Sequence, residues 1–149
     1  MRFPRIITLM AALSALAAGH ALALDFRSVD GNAAVLYDAP SAKAKKLYVV
    51  SQGYPLEVVV VLEGWIKVRD ASGELAWVES KALSEKRTVM VKVPVAPVRQ
   101  AADDASPIVF EAQQNVILEL EDAAPGAWLR VKHRDGQAGF IKAADVWGA

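Results

Sequence analysis

The sequence predicts an all-β protein made of two small barrels or sandwiches in tandem, packed together as one unit. Three observations lead there. Short β-branched and alternating runs fill the chain, as in Val58-Val59-Val60-Val61, Trp65-Ile66-Lys67-Val68-Arg69 and Trp128-Leu129-Arg130-Val131-Lys132. Glycine, aspartate and serine clusters at Asp70–Gly73 and Arg134–Gly136 punctuate these runs, and no window of helical length carries an amphipathic 3.6-residue period. One phrase also occurs twice, as EGWIKVRDASGELAWVESKAL at 63–83 and as AWLRVKHRDGQAGFIKAADV at 127–146.

The N-terminal segment 1–23 is set apart from this grammar. Arg2 and Arg5 form a positive start, Ile6 to Gly19 is an uncharged apolar run, and Ala21-Leu22-Ala23 is a small-x-small cleavage signal. That is the layout of a secretory signal peptide cut between Ala23 and Leu24. The apolar run is shorter than the ~20 residues of a spanning helix, and no later stretch is long and apolar enough to cross a membrane. No cysteine follows the run, which excludes a lipoprotein anchor. The expected destination is the periplasm or the extracellular medium.

Cleavage leaves 126 residues, one ordinary domain or two very small ones. The full chain holds 17 basic and 17 acidic residues; losing Arg2 and Arg5 makes the mature net charge −2. Without a basic excess to neutralise phosphates, nucleic acid is a poor partner. Zero cysteines exclude disulfides, thiol chemistry and cysteine-ligated metals. A domain of ~60 residues buries little surface and needs a staple or a neighbour. The two halves are therefore expected to pack on each other. Arg87 to Val93 joins them and is strand-like, with no Gly/Ser linker.

The repeat aligns by hand. Gln52, Leu56, Glu57 and Val58 match Gln114, Leu118, Glu119 and Leu120; after a loop one residue longer, Trp65-Ile66-Lys67-Val68 matches Trp128-Leu129-Arg130-Val131. Gly73 matches Gly136, Ala76-Trp77-Val78 matches Gly139-Phe140-Ile141, and Leu83 matches Val146. The first half spans 24–86 and the second 87–149. Asp70 to Gly73 closes a hairpin, which puts Ile66, Val68, Ala76 and Val78 on its inner face and Trp65, Lys67 and Arg69 on the outer one. Leu129, Val131, Gly139 and Ile141 repeat the inner role, and Gly139 suits a close approach of two backbones. On the outer face, Lys67 and Arg69 are expected to lay their stems along the indole. Pro94 and Pro97 are expected to confine a strand and set the angle between the halves.

The order of a short strand, a long polar loop, a β-branched strand, Gly64-Trp65-Ile66-Lys67-Val68, Gly73 and then Trp77-Val78 resembles the bacterial SH3-like domain, here twice behind a leader. The resemblance covers nearly the whole mature chain and implies two tandem SH3-like barrels. Val35-Leu36-Tyr37-Asp38 is similar to the opening of peptide-binding SH3 domains. That family places an aromatic groove on this tyrosine, on the tryptophan opening the hairpin and on a following Pro-x-x-Tyr. Tyr37 and Trp65 match; Ala39 stands where the opening motif has a second tyrosine, Glu79 at the proline and Ala82 at the last tyrosine. In the second half Arg99 replaces the tyrosine, Lys142 and Asp145 replace the proline and last tyrosine, and Trp128 alone is kept. Two aromatics do not make the ridged surface that holds proline-rich peptides. The fold carries over; that ligand specificity does not.

Chemistry-bearing residues are few. His133 is the single histidine of the mature chain and sits at a turn beside Arg134 and Asp135. No cluster supplies three or four zinc ligands, and no Gly-x-Ser-x-Gly elbow supplies a serine nucleophile. The Cys-His peptidases that often carry SH3-like modules need a cysteine. Glu119 and Glu121, two apart, share a strand face with Asp122 next to them, but read best as an exposed strand end rather than an acid/base pair. Asp103-Asp104 offers too few oxygens for calcium. No enzyme activity, cofactor or metal is expected.

The reading is an exported, non-catalytic binding or scaffolding protein, for which the resemblance implies cell-wall peptides or envelope proteins as partners. The candidate surfaces are Tyr37 and Trp65 with Lys67 and Arg69, and Trp128 with Arg99 and Arg130. Their basic flanks suit a carboxylate-bearing peptide. The alternative is a periplasmic inhibitor or regulatory subunit of an envelope hydrolase. The sequence assigns no oligomeric state.

Overall fold

The computed structural model describes residues 24–124 and 127–149. The expected leader, including Ala23, lies outside the described residues; Leu24, at the expected cut, is exposed.

The period-two runs form two antiparallel sheets of seven strands each. The first holds β1 (Phe26–Val29), β2 (Ala33–Tyr37), β3 (Lys46–Ser51), β4 (Pro55–Leu62), β5 (Trp65–Arg69), β6 (Leu75–Glu79) and β7 (Leu83–Ser84). The second holds β8 (Thr88–Val91), β9 (Val95–Arg99), β10 (Ile108–Gln113), β11 (Ile117–Ala124), β12 (Trp128–Lys132), β13 (Ala138–Lys142) and β14 (Val146–Trp147). The spatial orders, β3-β2-β6-β5-β4-β1-β7 and β10-β9-β13-β12-β11-β8-β14, are the same path traced twice. A short 3₁₀ turn, Ser80–Ala82 or Ala143–Asp145, precedes the last strand of each copy.

Each half holds seven strands, five of them five to eight residues long and two shorter. The shorter ones stand at the start and end of each copy. Arg87 to Val93 is corrected accordingly: Thr88–Val91 is the first strand of the second copy, and only residues 85–87 lie between the sheets. Pro94 and Pro97 also change role. They sit before and within β9, inside the second sheet, and do not form the junction.

Each sheet curls over its own core. The inner positions expected from alternation, Ile66, Val68, Ala76 and Val78, are all buried, as are Leu129, Val131 and Ile141. Gly139 explains its lack of a side chain: a Cβ there would lie 2.5 Å from the Arg99 carbonyl oxygen and 2.8 Å from a Val98 methyl. Strand β13 thus crosses β9 more closely than any side chain allows. The first copy has Ala76 at this position, and it is buried without needing glycine.

The halves pack as expected, through residues on either side of the short connection. Phe26, 3% exposed, meets Trp147 edge-to-face with centroids 5.1 Å apart. The Trp147 indole N–H donates to the Pro55 carbonyl at 3.2 Å, and Thr88 Oγ1 donates to the Gly53 carbonyl at 2.6 Å. Arg87 lies over the Phe26 ring at 5.6 Å. First-half carbonyls are therefore satisfied by second-half donors, which makes the contact specific as well as apolar.

The central hairpins are pinned differently in the two copies. In the first, the buried Asp70 accepts hydrogen bonds from the Tyr48 and Ser72 hydroxyls and from the backbone N–H groups of Ser72 and Glu74. Burial alone would push this carboxyl up, but those donors outweigh it and hold it below its ordinary range. Burial, together with the Asp70 charge, raises the Tyr48 hydroxyl. In the second copy His133 occupies the position of Asp70, lies tilted against Phe110 with centroids 6.0 Å apart and pairs with Asp135 at 3.0 Å.

Candidate functional site

The outer face of the first central hairpin is built by pleat and register. Trp65, Lys67 and Arg69 project from one side of β5, with Glu79, Trp77 and Leu75 directly opposite on β6. Strand β2 adds Tyr37, which pairs with Trp77. Tyr37 is buried and meets the half-buried Trp65 edge-to-face, with centroids 5.3 Å apart at 85°. The two aromatics matched from sequence are thus brought together.

The basic residues settle elsewhere than expected. The Lys67 ammonium sits 6.0 Å from the Trp77 ring centroid, because Trp77 is its direct cross-strand neighbour. Arg69 faces Glu57 on β4 and donates to both carboxylate oxygens at 3.0 and 3.2 Å. Arg69 is therefore a structural ion pair rather than an available cation. Lys67 makes no hydrogen bond or ion pair among the described residues. Trp77 was not among the candidates, although its place opposite Lys67 follows from closing the hairpin at Asp70–Gly73.

The second copy assembles a related face with more charge. Trp128 is opposite Lys142, whose ammonium lies 5.7 Å from the indole centroid, and Arg130 is opposite Phe140 at 6.0 Å. Arg99 pairs with Phe140 across β9 and β13. Carboxylates already claim two of these cations: Arg130 pairs with Glu121 at 2.9 Å and Lys142 with Asp104 at 2.7 Å. Arg99 differs. It donates to the Ser106 carbonyl at 2.8 Å, while its Nε is buried without a partner. An unpaired buried N–H costs free energy that an added acceptor would recover.

The acidic candidates separate. The register shifts between Leu120 and Asp122, so Glu121 is a bulge and the alternation that would align it with Glu119 is broken. Glu119 pairs with Lys86 at 2.6 Å, which with its hydrogen bond holds the carboxyl below its ordinary range. Among the described residues no group of three or more histidines, cysteines or carboxylates could hold a metal.

The copies differ most at the tip of β4. Val59, Val60, Val61 and Leu62 are all at least 40% exposed. The matching stretch of β11 begins with Glu121 and Asp122.

Comparison with known proteins agrees with this architecture. A family model described as Bacterial SH3 domain matches twice, over residues 30–85 and 92–148. No curated protein matches the chain. Among solved structures, NlpC2 from Trichomonas vaginalis is similar at 16% identity and a TM-score of 0.38, over 85% of this chain and 49% of that one. NlpC1 from the same organism gives 17% and 0.38, over 85% and 46%. An NlpC/P60 family protein from Bacillus cereus gives 18% and 0.38, over 82% and 55%. The chain spans about half the length of these proteins. Among the described residues no helix is long and apolar enough to cross a membrane.

Proposed function

The chain belongs to the bacterial SH3 domain family, with two copies in tandem, and from that premise we propose that it is an exported, non-catalytic binding module for carboxylate-bearing peptides of the cell envelope. The observation that carries the reading is the Tyr37–Trp65 edge-to-face pair, flanked by Trp77 and by a Lys67 ammonium with no carboxylate partner among the described residues. Aromatic walls with one uncommitted cation suit a peptide that presents an apolar group and a carboxylate. Arg99, opposite Phe140 and with an unpartnered Nε, is the corresponding cation of the second copy. Export rests on the leader-like residues 1–23. The non-catalytic reading rests on the scarcity of nucleophiles and on the separation of Glu119 from Glu121.

The test is retention on purified wall sacculi. The native protein is expected to be retained and Trp65→Ala to lose most of that retention; no retention of the native protein overturns the wall-peptide reading. A second reading is an inhibitor or regulatory subunit of an envelope hydrolase. The exposed Val59–Leu62 run favours it, since contiguous apolar surface is a common mark of a protein interface. It requires a stoichiometric protein complex with little affinity for wall material, abolished by Val61→Lys.

A further inference from the structure

Between the halves lies a cleft of about 680 Å³ that belongs to neither aromatic face. Its size is that of ligand pockets, which form preferentially at domain boundaries. The first half contributes Asp30, Asn32 and Gln52; the second contributes Asn115, His133 and Arg134. Its walls are well anchored. The Gly53 carbonyl on one side is held by Thr88, and His133 on the other is fixed by Phe110 and Asp135.

Some of the polar groups lining it have partners and others do not. Among the described residues the side chains of Asn32, Gln52, Asn115 and Arg134 make no hydrogen bond or ion pair, while the neighbouring Lys86 and Glu119 satisfy each other at 2.6 Å. Asp30 accepts only from the N–H of Gly31. Three amides, one guanidinium and one carboxylate thus face a common space.

Asn115 supplies an independent observation. It is the one non-glycine among the described residues with a left-handed backbone, at φ 70°. Its counterpart in the first copy is Gly53, at φ 78°. At Gly53 a Cβ would lie 3.3 Å from an Ile117 methyl of the opposite half, so glycine relieves the interface. Asn115 tolerates the left-handed conformation better than most side chains and places an amide in the cleft where glycine would place none.

We propose that this cleft is a separate binding site for a short zwitterionic peptide. Arg134 would take the peptide's carboxylate, Asp30 its ammonium, and the three amides its backbone. The site goes beyond the aromatic faces and shares with them only the class of ligand.

The test uses the ¹⁵N-labelled chain from Leu24 to Ala149, which holds both halves, titrated with trialanine and with trialanine C-terminal amide. Trialanine is expected to shift the amides of Asn32, Gln52, Asn115 and Arg134 saturably, with Kd in the range of about 1 mM, and the amidated peptide to bind at least about fivefold more weakly. Arg134→Ala and Asn115→Gly should each weaken binding by about fivefold. Asn115→Gly keeps the left-handed backbone, so it removes the amide without straining the turn. Trp65→Ala should leave cleft affinity unchanged. Shifts confined to Tyr37 and Trp65 would support the aromatic site and overturn this one. Loss of the Asn115 shift in Trp65→Ala, or no saturable shift up to about 20 mM, would also overturn it.

Discussion

The two copies share every strand and almost every core position, yet secure their central hairpins with opposite chemistry. In the first, the Asp70 carboxylate sits at the centre and four donors converge on it. In the second, the acid has moved two residues along to Asp135, a histidine stands at the centre, and Phe110 has replaced Tyr48. The carboxylate has changed position while the turn is unchanged: His133 Nδ1 accepts from the Asp135 N–H at 3.3 Å, as Asp70 Oδ1 accepts from that of Ser72 at 2.9 Å. The backbone N–H of Glu74 bonds Asp70 Oδ1 at 3.0 Å, and that of Gln137 bonds Asp135 Oδ1 at 2.9 Å. A hairpin of this shape requires an acceptor at its mouth, but it does not require that acceptor at one fixed residue. What differs is burial: Asp70 is 6% exposed, whereas the Asp135 side chain is 51% exposed. The first network is thus stronger and more sensitive to acid.

The largest way to break the likeness is at the last strand. Trp147 corresponds to Ser84, yet only Trp147 reaches across to the other half. Trp147→Ala is expected to cost about 3 kcal/mol, since the side chain is half-buried against Phe26. Ser84→Ala loses the hydroxyl's hydrogen bonds with Ser28 and with the Lys86 N–H and should cost about 1 kcal/mol. Urea denaturation of both variants measures the difference; equal losses would mean that the halves do not depend on this contact.

A second test exchanges the residues where each sheet closes. Gly139→Ala drives a methyl against the Arg99 carbonyl and should cost about 2 to 3 kcal/mol. Ala76→Gly creates no clash and should cost about 1 kcal/mol. Thermal melting decides between this order and its reverse.

The smallest effects sharpen the comparison of the hairpins. Asp70→Ala removes the shared acceptor and should cost about 2 kcal/mol, whereas His133→Ala should cost about 0.5 kcal/mol. The pH dependence follows from sign. Because the folded-state Asp70 carboxyl lies below its unfolded value, its stabilisation is full above the unfolded range and is lost as pH falls through the folded one. Native stability should therefore drop below about pH 4, and Asp70→Asn should drop less steeply over the same range. An identical acid profile for the two proteins would count against Asp70 as the source.

The inner faces and the need for Gly139 were legible in the sequence, because alternation and a glycine at a buried position have local causes. The outer face was only half legible. Tyr37 and Trp65 could be matched to a pattern, but the partners of Lys67 and Arg69 are set by register. Register places Trp77 opposite the first and Glu57 opposite the second. A bulge displaced Glu121 from the face expected for it, and a bulge leaves no signature in residue types here. The cleft was not legible at all, since its residues come from turns some 20 to 100 positions apart and meet only when the halves dock.

That docking bears on the order of events in synthesis. Phe26 opens the first strand, and Trp147, which covers it, lies in β14, the last strand of the second sheet. The Pro55 carbonyl in the first sheet likewise waits for the Trp147 indole. A chain made from its N-terminus therefore holds a first barrel with Phe26 uncovered until β14 has been added. Forms that lack β14 would expose Phe26 to chaperones and proteases, so this one contact reports whether the second barrel has formed.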